Sequence, residues 1–208
     1  MNRSNEWLQS QPHVFWGEIA PCDHVLQIYE DNGIFLDMLT GFVGGGINAG
    51  DSVIVIATAE HLTGLEKRLV AHGIYLDSLI ADKQYIPVHA DEILSKFIVN
   101  GWPDEALFIS EITKLIETAG SKNRKVRAFG EMVAILWAQG HSGATVRLEH
   151  MWDSLCKKEE LSLFCAYPKS GFTKDINDSF NHICGSHSKI ITSTKPYTEI
   201  LYKEIVGE

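Results

Sequence analysis

No CxxC pair, no apolar run approaching a membrane span and no excess of basic charge occur in these 208 residues. Each absence removes a class of function. The four cysteines, Cys22, Cys156, Cys165 and Cys184, stand at wide, irregular spacings with nothing before them that reads as a secretory leader. That pattern points to a reduced, cytoplasmic setting rather than a disulfide framework. A spanning helix needs about 20 consecutive apolar residues, and none is offered, so no membrane contact is expected. The formal charge of −9 opposes a phosphate-binding surface, which requires clustered lysine and arginine. The one basic run, Lys122-Asn123-Arg124-Lys125, reads as a solvated loop before a strand, and no direct nucleic-acid contact is expected.

Catalytic signatures are missing as well. A phosphate loop reads GxxxxGK[ST], whose amides cradle phosphates while its lysine reaches the terminal ones; the first strand-to-helix turn here reads YEDNGIF, with two acids and no lysine. The glycine-rich GGGIN at 44–48 falls at a helix end and reads as a C-terminal stop. No GxSxG elbow exists, and Cys165 lies in an apolar strand, which suits an inert thiol better than a nucleophile. Nine histidines invite a metal reading, with His182-Ile183-Cys184 and His187 as the nearest grouping. Its ligands lack paired, regular spacing, and Cys184-Gly185 reads as a helix end, so no metal and no cofactor is expected.

What is present is a fold. At 45% hydrophobic residues the chain can bury a full core. From His24 onward apolar strand-like runs (HVLQIYE, SVIVIAT, QYIPVH, KVRAF, LSLFCAY) alternate with segments of helical period. This predicts a mainly parallel sheet covered by helices on both faces, a three-layer α/β/α arrangement. Pro87 marks the third strand as irregular or as an edge, and Pro103 opens the helix that follows. Residues 1–23 read as an N-terminal arm, 24–168 as the α/β domain, and 169–208 as a helical tail that docks on the domain or on a partner. That tail is expected to carry helices near Ile176–Cys184 and Tyr197–Val206.

In an open parallel sheet, ligands bind beyond the carboxyl ends of the strands. The residues there form a polar, mostly acidic rim with aromatics: Tyr29-Glu30-Asp31, Thr58-Ala59-Glu60-His61, His89-Ala90-Asp91, Phe129-Gly130-Glu131 and Tyr167-Pro168-Lys169. Arg127, inside the fourth strand, needs a carboxylate to offset its desolvation. Glu131, four residues on, is the first candidate, with Glu30 or Glu149 reaching it through space. A structural ion pair locking sheet to helix is the plainer reading and a ligand contact the sharper one. Glu131 also opens a helix, where the dipole favours its charge and makes it a poor general acid. Trp137 and Trp152 fall on inward helix faces and read as core.

Taken together, HVLQIYED, AGDSVIVIATAEHL, QYIPVHADEIL, NGWPDEALF, VRAFGEMVAILWAQG, LEHMWDSL and LFCAYP resemble the MEDS domain, the methanogen/methylotroph sensory domain of DcmR-type regulators. The resemblance covers about residues 13–168 and falls on His24, Tyr29, Glu30, Arg127, Gly130, Glu131, Trp137, Glu149, Trp152, Cys165 and Tyr167. The sequence departs from that pattern at Lys83 and His89. The resemblance implies a RecA/KaiC-like fold without a working phosphate loop, used as a sensory input module and responding to small organic molecules. It places Arg127 and Glu131 where a RecA-like ATPase holds its Walker B acid, and Glu60 where KaiC-like ATPases carry a catalytic glutamate.

The expectation is a non-catalytic sensory domain with no catalytic residue. A small organic ligand is held by Tyr29, Glu30, Glu60, His61, Arg127, Glu131 and Tyr167, with Arg127 and Glu131 paired at the pocket floor. Because the sequence stops at Glu208, a histidine kinase or transcription regulator would act in trans. A homodimer is compatible with the composition. Two alternatives stand beside this: a degenerate KaiC-like nucleotide-binding domain, and an interaction module acting through the C-terminal tail.

Overall fold

The computed structural model of the chain describes residues 16–17, 19–171, 177–194 and 197–202. Strand β1 (His24–Tyr29) leads into helix α1 (Asn32–Ala49), whose first turn is capped by Asp31 accepting from the Ile34 amide at 3.0 Å. This helix runs through all three glycines of GGGIN and ends at Gly50, which takes the left-handed conformation with φ 83°. Gly46 has a packing role of its own. A Cβ there would meet the Val53 Cγ2 at 2.8 Å and the Arg127 Cδ at 3.0 Å, so its bare backbone lets α1 press onto the sheet.

Strand β2 (Ser52–Ala57) is buried along its whole length and is followed by α2 (Ala59–Ala71) and α3 (Leu76–Ala81). Strand β3 (Tyr85–His89) and helix α4 (Ala90–Phe97) follow. A two-residue-per-strand hairpin then joins β4 (Ile98–Val99) to β5 (Trp102–Pro103). Pro103 therefore does not open a helix. It pairs with Ile98, and Asp104 caps α5 (Glu105–Gly120) by accepting from Leu107 N at 2.9 Å. The remaining elements are β6 (Val126–Gly130), α6 (Met132–Ala138), α7 (Ser142–Glu159), β7 (Ser162–Pro168), α8 (Asn177–Gly185), β8 (Lys189–Thr194) and β9 (Tyr197–Tyr202).

The sheet has seven strands in the order β3-β2-β6-β7-β1-β8-β9, parallel except for β9, which runs antiparallel to β8. Pro87 sits in β3 at one edge, where its missing amide hydrogen costs no ladder bond. The tail differs from its reading. The helix near residue 176 exists as α8, but the segment expected to be helical from Tyr197 is strand β9. KIITST before it is β8, hydrogen-bonded to β1 within the main sheet. Both segments are rich in the Ile, Thr and Tyr that suit a pleated surface, a preference stronger than the faint helical period there. Residues 1–15 of the arm lie outside the described residues. Trp16 is fully buried against Phe42 and Phe164.

Side-chain alternation along each strand divides the core into two layers. Val53, Val55, Phe129, Phe164 and Val25 face α1 and α2. Ile54, Ile56, Ala128, Cys165 and Leu26 face α4 to α8. Among the described residues no helix is long and apolar enough to cross a membrane.

Candidate functional site

The carboxyl ends of β1, β2 and β6 converge on one hydrogen-bonded group. Glu131 follows β6, and its amide donates to the Ile56 carbonyl, which fixes the turn beside β2. Its carboxylate accepts from the Thr58 amide at 2.8 Å and from His61 Nδ1 at 2.8 Å. His61 reaches this position because Thr58 caps α2 and puts residue 61 in the helix's first turn. On the other side of the ring, Nε2 lies 3.0 Å from Asn32 Oδ1, at the start of α1. Two acceptors on opposite sides of one imidazole suit its doubly protonated form.

An aromatic wall completes the group. Phe35, fully buried, meets His61 edge-on at 4.9 Å, and Tyr29 stacks on Phe35 at 4.7 Å. Burial and then the Glu131 charge push the Tyr29 hydroxyl up to about 12, so it remains a proton donor at neutral pH. At His61 burial alone would lower the pKa. The hydrogen bond to Glu131, the Glu131 charge and the more distant Glu60 outweigh it and raise the value above 6.5.

That sign has a measurable consequence. A base whose folded pKa is raised adds stability that is complete below its unfolded value and is lost as pH rises through the folded one. The stability difference between the wild type and His61→Gln is therefore largest in mild acid and shrinks above neutrality. Titration of the His61 ring by NMR should give a midpoint above 6.5, and a midpoint below it would remove the ion pair from this picture.

The seven residues expected at the ligand site separate into groups. Tyr29, His61 and Glu131 stand together. Glu60 is exposed on the first turn of α2 and acts on His61 through charge. Glu30 faces outward in an ion pair with Lys169. Tyr167 lies on the opposite face of the sheet and donates to the buried Glu149. That burial raises Glu149 to about 8, against the opposing hydrogen bonds of Tyr167 and Cys165.

Arg127 stands at the amino end of β6. Nε donates to Asp51 Oδ2 at 2.7 Å and Nη1 to the Trp16 carbonyl at 2.8 Å. The Arg127–Glu131 pair expected at a pocket floor is thus absent. A strand advances about 3.3 Å per residue, so four residues place these groups at opposite ends of the sheet. Neither Glu30 nor Glu149 is the partner of Arg127. Asn32, Phe35 and Thr58 complete the site without having been singled out as ligand residues. Thr58 is legible as a helix cap, whereas Asn32 and Phe35 carry no signal apart from their place after the first strand. A cavity of about 390 Å³ does open at the amino ends, beside Asp51, Arg124 and Arg127. Its described lining holds no aromatic side chain, and Arg127 is already engaged there.

Two solved structures from the hyperthermophilic archaeon Pyrococcus horikoshii OT3 share this architecture. A KaiC-like protein aligns with a TM-score of 0.59 at 10% identity, covering 88% of this chain and 80% of its own. A second protein from that organism aligns with a TM-score of 0.61 at 12% identity, covering 94% of each chain. At such identities the likeness establishes the RecA/KaiC-like fold. A comparison with curated proteins gives no match. Over residues 23–187 the sequence matches the family described as MEthanogen/methylotroph, DcmR Sensory domain (MEDS), and the chain belongs to that family.

Proposed function

We propose that this chain is a non-catalytic sensory module that takes a small organic molecule at the carboxyl ends of β1, β2 and β6. The observation that supports this most directly is the joining of the His61–Glu131 pair to the Tyr29–Phe35 wall, each residue supplied by a different strand end or adjoining helix. The ion pair and the Asn32 amide offer polar contacts, while the aromatic rings suit an apolar body, the usual division of labour in a small-molecule site. Binding changes the output only if the ligand prefers one of two arrangements of the surrounding helices. A transcription regulator or histidine kinase would read that change.

The helix end that holds phosphate in nucleotide-binding relatives of the fold is occupied differently here. The Asp31 carboxylate accepts the Ile34 amide at the start of α1, with Glu30 beside it. A carboxylate seated on those amides repels a phosphate and uses the donors it would need. This favours an uncharged or weakly polar organic ligand over a nucleotide.

The test is thermal unfolding against a panel of nucleotides and small organic and halogenated compounds. A ligand at about one hundred times its dissociation constant adds about 2.7 kcal/mol. The expected result is a shift with an organic compound that is lost in a folded Tyr29→Ala variant. A shift with nucleotides alone, or one untouched by Tyr29→Ala, overturns the reading.

A further inference from the structure

On the opposite face of the sheet, four side chains that share no sequence motif point their ligand atoms at one another. His24 begins β1, Glu149 lies in the middle of α7, Cys165 lies in β7, and His187 precedes β8. All four are buried, and one nitrogen, sulfur or oxygen from each falls within 4.8 Å of the others. His24 Nε2 is 3.4 Å from Cys165 Sγ and 3.5 Å from Glu149 Oε2. The same carboxylate oxygen is 3.7 Å from His187 Nε2 and 3.9 Å from Cys165 Sγ.

We propose that His24, Glu149, Cys165 and His187 form a closed, four-ligand site for a divalent d-block cation of the zinc class. The spacings carry the argument first. They are long for hydrogen bonds between nitrogen and oxygen, which fall near 2.7 to 3.2 Å. A tetrahedral zinc centre with bonds of about 2.0 to 2.3 Å holds its ligand atoms roughly 3.3 to 3.8 Å apart, which is the range seen for most of these pairs.

The surroundings carry it further. His24 Nδ1 donates to the Ser186 carbonyl at 3.1 Å, and His187 Nδ1 donates to the Ile183 carbonyl at 2.6 Å. With the proton held on Nδ1, each ring turns an Nε2 lone pair toward the group, the orientation that metal-bound histidines owe to their outer partners. Tyr167 plays the same part for the carboxylate by donating to Glu149 Oε1, which leaves Oε2 as the atom facing the others. Charge also balances. A thiolate and a carboxylate neutralise a divalent cation while two imidazoles add nothing, so the loaded site has no net charge to bury. On binding, the Cys165 thiol proton and the Glu149 carboxyl proton pass to solvent as metal–sulfur and metal–oxygen bonds form.

Four protein ligands leave no open position, so this site is structural and not catalytic. Its ligands come from β1, α7, β7 and the residue group leading into β8, so the ion would fasten the C-terminal strands to the central sheet. Neither His182, which is exposed, nor Cys184 belongs to the group, although the sequence groups both with His187.

The test is titration of the purified full chain, first stripped with a chelator, with Co²⁺ as a spectroscopic substitute and Zn²⁺ as competitor. About one equivalent of Co²⁺ should bind, with visible bands of tetrahedral intensity and a sulfur-to-cobalt charge-transfer band that Zn²⁺ removes. Cys165→Ser should abolish the charge-transfer band. Tyr167→Phe, which keeps every ligand, should weaken affinity about 10- to 100-fold, and His182→Ala should leave it unchanged. Should Cys165→Ser fail to fold, protection of the Cys165 thiol from alkylation by added Zn²⁺ in the wild type gives the same answer. A folded wild type without tetrahedral Co²⁺ bands overturns the proposal. So does a signal that survives Cys165→Ser or disappears in His182→Ala.

Discussion

Replacing Arg127 by alanine is expected to cost about 3 to 5 kcal/mol of stability, the usual effect of removing one partner from a buried ion pair. The guanidinium is only 5% exposed and the Asp51 it serves 8%, so the carboxylate left behind has little water to turn to. The Trp16 carbonyl loses a donor in the same change. Denaturant unfolding of Arg127→Ala, Asp51→Ala and the double variant measures the coupling, and the double should lose less than the sum of the two singles. For a chain of this size each kcal/mol moves the thermal midpoint by about 2 to 4 °C, so the single variant should melt roughly 6 to 20 °C below the wild type. A loss under about 1 kcal/mol would show that the pair does not hold Trp16 and α1 against the sheet. Folded Arg127→Ala should also keep whatever ligand response the carboxyl-end group has, since the two stand at opposite ends of β6.

Trp152→Ala is expected to be comparably severe, about 3 to 5 kcal/mol, because it empties a large, fully buried volume beside Gly130. The indole is fully buried, meets Phe108 edge-on at 5.1 Å, and lies 3.5 Å from where a Cβ on Gly130 would be. Gly130 carries Glu131 on its next peptide, so the indole supports the turn that aims the carboxylate at His61. Trp152→Phe should recover most of the loss, and the His61 titration should move toward 6.5 in Trp152→Ala as its ion pair loosens. An alanine variant as stable as the wild type would mean that neighbouring helices collapse into the space.

The sheet was legible where residues are continuously apolar. SVIVIAT and LSLFCAY declare buried strands by composition alone, and Pro87 declares an edge. The polar chemistry was less legible, because charges find partners through the fold rather than along the chain. Arg127 and Glu131 are four residues apart and look like a pair. Their actual partners, Asp51 and His61, lie 76 and 70 residues away. Alternation could have warned of this, since it fixes the face each side chain takes, but it does not say which helix covers that face. Tyr167 shows the same limit. It ends a strand at the expected rim, yet its face belongs to Glu149 and not to the crevice.

The placement of β1 sets the order in which the chain can assemble. This strand lies between β7 and β8, so among the described residues 24–29 find their sheet partners in 163–168 and 189–193. During synthesis β2, β3 and β6 can come together before the strands that flank β1 among the described residues exist, and its apolar side chains wait for more than a hundred residues to follow. Closing contacts of such separation is slow, because the chain gives up loop entropy before any ladder bond repays it. The strand that carries both Tyr29 and His24 is therefore among the last to be locked into place, and a nascent chain interrupted before β7 exposes it to wrong pairing.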